Sequence, residues 1–292
     1  MSSDGGDGLR RISPLLRTAI GAAISSGRQT LRYRNGRLRS VEKLDRTPVT
    51  DADLAAHATI TNELLTTNYP ILSEEGSHSP FHERRLWDCF WLVDPLDGTR
   101  EFLDGGDDYS VNVALLQGGR PRLGVVYLPA HDRLYAADVD CGAFVVEAAW
   151  RDGQALAARV LLPRQTEHGR AVTVLASKHH RSPQTDRFVE AIAERHGDVR
   201  LLSAASALKL CLIADGVADY YPRFGTTMEW DTAAGEAVLG AVGGRVVDVG
   251  RRRRLRYNKR DLRNPPFIAA APRRRIPTGA ISEGTQPARP IV

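Results

Sequence analysis

The sequence predicts a layered α+β and α/β body, two lobes with the site between them. Three observations predict it. Two stretches with helical apolar spacing open the chain, strands broken by tight-turn signals fill the middle, and short strands alternate with helices from about Val172. At 292 residues the chain has enough surface to bury for a full core.

The elements follow in order. Residues 1–11, "MSSDGGDGLRR", read as a flexible lead-in without the charged-then-apolar order of a secretory signal. Leu9 to about Ser26 reads as an amphipathic helix on Leu15, Leu16, Ile20 and Ile24, and "RYRNGRLRS" as a polar loop. Thr50 is the N-cap expected for a second helix to about Thr67, whose Leu54, Ala58, Thr61 and Leu65 share a face. "YPILSEEG" is a short strand ending on acids, and "WLVD" a buried strand. From Tyr109 to Val146 the pattern predicts three strands, punctuated at "QGGRP" and "DCG". "VTVLAS", "VRLLSA" and "ADYYPRF" are then strands leading to helices over 182–196, 206–214 and 231–243. The expected division is a flexible 1–11, an N-terminal lobe over 12–165, a C-terminal lobe over 166–271 and a disordered tail over 272–292.

Composition excludes several classes. Apolar residues make up 42% and charged residues 26%, the range of a soluble globular protein, and no apolar run is long enough to span a membrane. Three separated cysteines argue against a disulfide framework and for a reducing cytoplasm. Residues 245–275 hold 12 Lys/Arg against 2 Asp/Glu, so the net +5 of the chain hides a mildly acidic body and a basic C-terminal segment. Such a run is ordinarily a solvated loop or tail. Its functional alternative is weak contact with an anionic lipid surface, and no module for a nucleic-acid polymer accompanies it. Oligomeric state is not legible.

Acids cluster at the ends of elements: Asp53, Glu74 with Glu75, Asp94 with Asp97, and Asp231. Singly, each has an ordinary reading as a helix cap or a solvated loop. Converging in one site they would repel one another, and an all-oxygen donor set without Cys or His selects a hard cation such as Mg²⁺. In "DPLDGT" a turn brings Asp94 and Asp97 to one side and offers the Leu96 carbonyl. Gly98 and Thr99 then open a helix, whose unpaired N–H groups suit phosphate. Metal beside phosphate and a hydroxyl describes metal-assisted phosphoryl hydrolysis.

"TPVTDAD", "LSEE", "WLVDPLDGTREF", "GVVYLP", "YYPRFG" and "WDTAAGEAV" together resemble the inositol monophosphatase superfamily, and more narrowly its CysQ branch, the 3′(2′),5′-bisphosphate nucleotidases. The resemblance runs over roughly residues 12–270. It implies an αβαβα sandwich and two or three Mg²⁺ ions held by Glu74, Asp94, the Leu96 carbonyl, Asp97 and Asp231. It also implies that Asp53, rather than Asp51, pairs with Thr99 to activate the attacking water. The phosphorylated substrate would touch Glu74, Leu96, Asp97, Gly98, Thr99 and Asp231. The nucleotide segments of that branch correspond to "SKHH" and "SALK" here, which adds Ser177, His180, Ser206 and Lys209. Arg223 of "YPRF" is a further basic candidate for the second phosphate.

Two positions depart from the branch. "LDGGDDYS" replaces a basic stretch, so Asp104, Asp107 and Asp108 would repel a polyanion, and His179 replaces a common serine. The expectation is therefore a cytoplasmic Mg²⁺-dependent phosphatase of 3′-phosphoadenosine 5′-phosphate, with its phosphosulfate as a second substrate. One alternative is an inositol or other sugar-phosphate phosphatase. The other is a non-catalytic nucleotide-binding protein.

Overall fold

The computed structural model describes residues 12–34, 40–42, 48–149, 155–164, 171–176, 182–204 and 207–277. Helix α1 spans Pro14–Tyr33, starting and ending later than the expected Leu9–Ser26. Its start is set by Ser13, whose hydroxyl accepts the Leu16 N–H, and by Pro14, which has no N–H to give and suits only a first turn. The buried stripe of Leu16, Ala19, Ile20 and Ala23 turns inward, while Leu15 and Ile24 are half-buried.

A short antiparallel pair, β1 (Ser40–Glu42) and β2 (Pro48–Thr50), leads into α2 (Asp51–Leu64). The face shared by Leu54, Ala58, Thr61 and Leu65 is not the one that α2 buries. Ala52, Asp53, Ala56, Ile60 and Leu64 are buried, whereas Leu54 and Leu65 are 51% and 57% exposed. Both stripes have helical spacing, so periodicity could not choose between them. Reciprocal bonds between Thr50 and Asp53 fix the helix's rotation with Asp53 inward.

Next come β3 (Ile71–Ser73), α3 (Phe81–Arg84), β4 (Cys89–Asp97) and α4 (Thr99–Leu103). Strands β5 (Ser110–Gln117), β6 (Arg120–Leu128), β7 (Arg133–Asp138), β8 (Gly142–Glu147) and β9 (Val160–Leu161) complete a seven-stranded sheet in that order. Only β3 and β4 run parallel within it. Four strands stand between Tyr109 and Glu147, not three. A single 3₁₀ turn at Pro129–His131, closed by Asp132 in the left-handed region, splits what read as one strand.

In the second half, β10 (Val172–Leu175), α5 (Pro183–His196), β11 (Val199–Leu202), α6 (Leu208–Ala214), β12 (Tyr220–Arg223) and α7 (Glu229–Ala241) alternate as expected. Three strands follow that were not foreseen: β13 (Arg245–Asp248), β14 (Arg253–Arg254) and β15 (Phe267–Ala270). The six-stranded sheet has the order β11-β10-β12-β15-β13-β14.

Apolar packing sets five layers. Leu16, Ile20, Ile60 and Leu64 of α1 and α2 pack on Trp91, Val93, Val113 and Val125 of the first sheet. That sheet's other face, with Leu92, Ala114 and Val126, meets Leu210, Ala233 and Val238 of α6 and α7, which also cover Tyr221, Val246 and Phe267 of the second sheet. Phe188 and Ile192 of α5 close the far side on Val174, Tyr220 and Ile268. The order is α, β, α, β, α.

The C-terminal segment needs one correction. Arg251–Arg254 lie within the expected lobe, in the β13–β14 turn and β14, with their side chains exposed and Leu255 and Tyr257 buried just after. Residues 272–277, assigned to the disordered tail, are tied down. Arg274 pairs with Asp219 at 2.9 Å, the Tyr220 hydroxyl donates to the Arg275 carbonyl at 2.8 Å, and Ile276 packs on the α5 core. Sparse apolar residues hid this, because polar bonds do the anchoring. The remainder of that assignment, and the flexible 1–11, lie outside the described residues.

Candidate active site

The site is built where β4 loses register. Asp94 stands opposite Asn112 of β5, and the next pair is Asp97 opposite Ser110. Three steps on β4 answer two on β5, so the extra residue bulges the strand. The Leu96 N–H donates to Asp94 Oδ1 at 3.1 Å and folds the turn back over the first carboxylate. Gly98 follows at φ 96°, where any other residue is strained by about 1–2 kcal/mol. A Cβ there would also lie 3.2 Å from the Asp108 carbonyl oxygen. Helix α4 is only five residues long, so it offers an anion its unpaired N–H groups more than a dipole.

Two other elements bring acids to this bulge. Ser73 of β3 pairs with Val93 in parallel, and the Glu74 N–H donates to the Val93 carbonyl at 3.1 Å. One step further along both strands sets Glu74 level with Asp94. Asp231 arrives as the third residue of α7, where its Oδ2 accepts the Met228 N–H at 2.9 Å.

These acids act on one another. Burial, then the Glu74, Asp97 and Asp231 carboxylates, push Asp94 well above the usual carboxylate range. Asp231 is raised by burial and Asp97, and Arg223 opposes the shift. Among the described residues, no three His, Cys, Asp or Glu side chains are gathered into a formed metal-binding group. Asp94, Asp97 and Asp231 each accept a backbone N–H of their own. The donor chemistry fits a hard cation: a buried Asp94 and half-buried Glu74, Asp97 and Asp231, all of one sign, beside a backbone carbonyl, with no sulfur or imidazole among them.

Asp53 and Thr99 form a second device. Asp53 is buried, and its Oδ2 accepts both the N–H and the hydroxyl of Thr50, at 2.7 and 2.5 Å. The Thr99 hydroxyl reaches Asp53 Oδ1 at 3.2 Å and the Leu96 carbonyl at 3.3 Å. Burial raises Asp53, the Thr50 bonds oppose that, and Glu75 adds to it.

The third part is cationic. Lys209 on α6 is 6% exposed, with Nζ 5.2 Å from the Tyr221 ring centre. Burial and the nearby Arg223 lower it to about 8, against the pull of Asp97, Glu101 and Asp108. Arg223 donates from Nη2 to the Thr226 carbonyl at 3.1 Å, while its buried Nε has no hydrogen-bond partner. A buried donor left open invites an acceptor.

The acidic loop is partly answered. Arg34 at the end of α1 pairs with Asp107 and donates to the Gly105 carbonyl at 2.9 Å, and His131 stands 3.7 Å from Asp108. The structure thus joins Asp53, Glu74, Asp94, Leu96, Asp97, Gly98, Thr99, Lys209, Arg223 and Asp231 through bonds, register or charge. Ser177, His180 and Ser206 lie outside the described residues, as does His179. Sequence reasoning missed Asn112, whose Nδ2 lies 3.4 Å from Asp97 Oδ2, and the role of Thr50 in holding Asp53. A lone amide in the apolar strand "SVNVALL" was the available signal for Asn112.

Comparison with known proteins agrees with this architecture. The pattern of the inositol monophosphatase family matches residues 11–285. The 3′(2′),5′-bisphosphate nucleotidase CysQ of Escherichia coli strain K12 is 39% identical over 210 residues, 71% of this chain and 79% of that one. That of Haemophilus influenzae is 33% identical over 258 residues, 87% of this chain and 91% of its own. The crystal structure of CysQ from Bacteroides thetaiotaomicron, a bacterial member of the inositol monophosphatase family, superposes with a TM-score of 0.80 at 39% identity. It covers 89% of this chain and 97% of that one.

Proposed function

Because the chain belongs to the inositol monophosphatase family, we propose that it is a Mg²⁺-dependent phosphatase that removes the 3′-phosphate of 3′-phosphoadenosine 5′-phosphate, leaving AMP. The activity named for its CysQ relatives, 3′(2′),5′-bisphosphate nucleotidase, supports that substrate class. The observation that carries the reading is a meeting of opposite charges at one place. Glu74, Asp97 and Asp231 act on Asp94, while Asp97 pulls on Lys209 and Arg223, with its open Nε, acts on Asp231.

Glu74, Asp94, the Leu96 carbonyl, Asp97 and Asp231 would hold two or three Mg²⁺ ions. Bound there, the metal supplies charge to the phosphoryl oxygens and acidity to a water. The protein's own groups do the rest. Thr99, donating its proton to Asp53, has oxygen lone pairs left to accept one from the attacking water. Asp53 holds that hydroxyl in place and is the onward acceptor, its basicity raised by burial. The N–H groups of Gly98 and Thr99 orient the departing phosphate. Lys209 and Arg223 bind the phosphate that stays. Ser177, His180 and Ser206 complete the nucleotide contacts in this reading.

No helix among the described residues is long and apolar enough to cross a membrane. A cytoplasmic enzyme, with weak contact to anionic lipid through Arg251–Arg254, completes the proposal.

The test is product analysis. Incubation of adenosine 3′,5′-bisphosphate with protein and Mg²⁺ is expected to give 5′-AMP and phosphate, with turnover lost in chelator and restored by Mg²⁺. Release of the 5′-phosphate instead, or full turnover in excess chelator, would overturn the assignment.

A further inference from the structure

Asn112 sits beneath the site in an otherwise apolar stretch of β5, directly across from Asp94 in register and 1% exposed. Burying an amide there is unfavourable unless its bonds are made, and an apolar side chain would pack as well. Its bonds run in one direction. The Ser110 hydroxyl donates to Asn112 Oδ1 at 3.1 Å, and Asn112 Nδ2 donates to Asp97 Oδ2 at 3.4 Å. The Ala207 N–H, at the start of α6 and two residues before Lys209, donates to the same oxygen at 3.2 Å. Among the described residues, two N–H donors thus reach the same Asp97 oxygen, one from each side of the site.

Both donors are neutral. The same holds for the Leu96 N–H on Asp94 and the Met228 N–H on Asp231. An Arg or Lys at position 112 would orient Asp97 equally well but would also discharge it and compete with a cation. An amide orients the carboxylate without itself neutralising it.

We propose that Asn112 is a positioning residue that sets Asp97 for the cation, with Ser110 fixing the amide's own orientation. The inference rests on the metal reading of the site. Outer groups that orient metal ligands typically contribute about 10–100-fold in metal affinity or activity.

The experiment is calorimetric titration of Mg²⁺ into substrate-free wild type, Asn112→Ala, Ser110→Ala and Asp94→Asn, with melting temperatures and kcat measured alongside. Asn112→Ala is expected to weaken Mg²⁺ binding by about 10-fold or more and to raise the Mg²⁺ needed for half-maximal activity in step. Ser110→Ala should shift both in the same direction by less. It supplies the folded readout if Asn112→Ala does not fold. A lowered melting temperature with unchanged Mg²⁺ affinity in both variants would make Asn112 merely structural and overturn the proposal. Asp94→Asn separates the two failures. If it loses Mg²⁺ while the other variants keep it, only the role of Asn112 falls; if wild type binds none, the metal reading falls with it.

Discussion

At Thr99 one hydroxyl proton has two oxygens within reach, Asp53 Oδ1 and the Leu96 carbonyl, and this defines what the residue can contribute. Thr99→Ala removes a proton carrier without removing a charged ligand. kcat is expected to fall by about 10²–10⁴-fold while Mg²⁺ affinity is kept. A Thr99→Ala enzyme as active as wild type would break the Asp53–Thr99 pairing. Lys209 gives a pH prediction. Its folded value of about 8 lies below the ordinary 10.5, so the folded chain binds fewer protons than the unfolded one between those values. This group's contribution to stability therefore rises with pH across that window. Its charge in the free enzyme falls across the same window, so KM for the adenosine bisphosphate should climb above about pH 8. Lys209→Arg, which stays charged, should flatten that rise. An unaltered KM–pH profile in Lys209→Arg would remove Lys209 from phosphate binding. At this scale the sequence was most legible, because "DPLDGT" concentrates its chemistry in six consecutive residues. Asn112 showed only as a lone amide in an apolar strand and Thr50 only as a helix cap, since their roles at the site arise from a register and a helix rotation that spacing does not encode.

At the scale of elements, glycine fixes how closely layers approach. Gly124 of β6 lies against α7, and a Cβ there would stand 2.4 Å from the Ala234 carbonyl oxygen and 2.6 Å from the Ala237 Cβ. Gly124→Ala must push α7 away, at a cost of about 1–3 kcal/mol typical of overpacking. Because Asp231 rides on α7, the melting temperature and Mg²⁺ affinity should fall together. A variant with unchanged melting temperature would show that α7 yields freely. The α/β alternation of the second half was readable because each strand ends in turn residues before a helical pattern. The inner face of α2 was not, since two stripes share the helical period and only the Thr50–Asp53 bonds select one. The split of the long middle strand at Pro129 was hidden for a different reason, as "LPAHD" supplies its turn without a glycine.

At the scale of the molecule, the five layers leave Asp94 and Asp97 on β4, Glu74 just past β3, Asp231 on α7 and the cations on α6 and β12, so the site needs both sheets in place. The segment 272–277 ties its end to the second sheet through Asp219, Tyr220 and Arg245. Truncation after Ala271 is therefore expected to lower the melting temperature measurably. An unchanged melting curve would mean these bonds add nothing. The order of elements pointed to a layered two-lobe body, and the five-layer αβαβα order came only from the family resemblance. The anchoring of 272–277 was not, because a Pro- and Arg-rich composition looks the same whether its bonds are made to water or to a neighbouring strand.

The central claim is that a metal-and-threonine centre shared by any phosphate monoester is made selective by Lys209 and Arg223. Its most direct test is the ratio of kcat/KM for adenosine 3′,5′-bisphosphate to that for inositol 1-phosphate, in wild type and in Lys209→Ala. A hydrogen bond to a charged group is worth about 1.5–3 kcal/mol, so wild type should favour the bisphosphate and Lys209→Ala should narrow the ratio by about 10–100-fold, mainly by harming the bisphosphate. Equal or better turnover of inositol 1-phosphate by wild type, with Lys209→Ala neutral for both, would contradict the claim and make the protein a sugar-phosphate phosphatase.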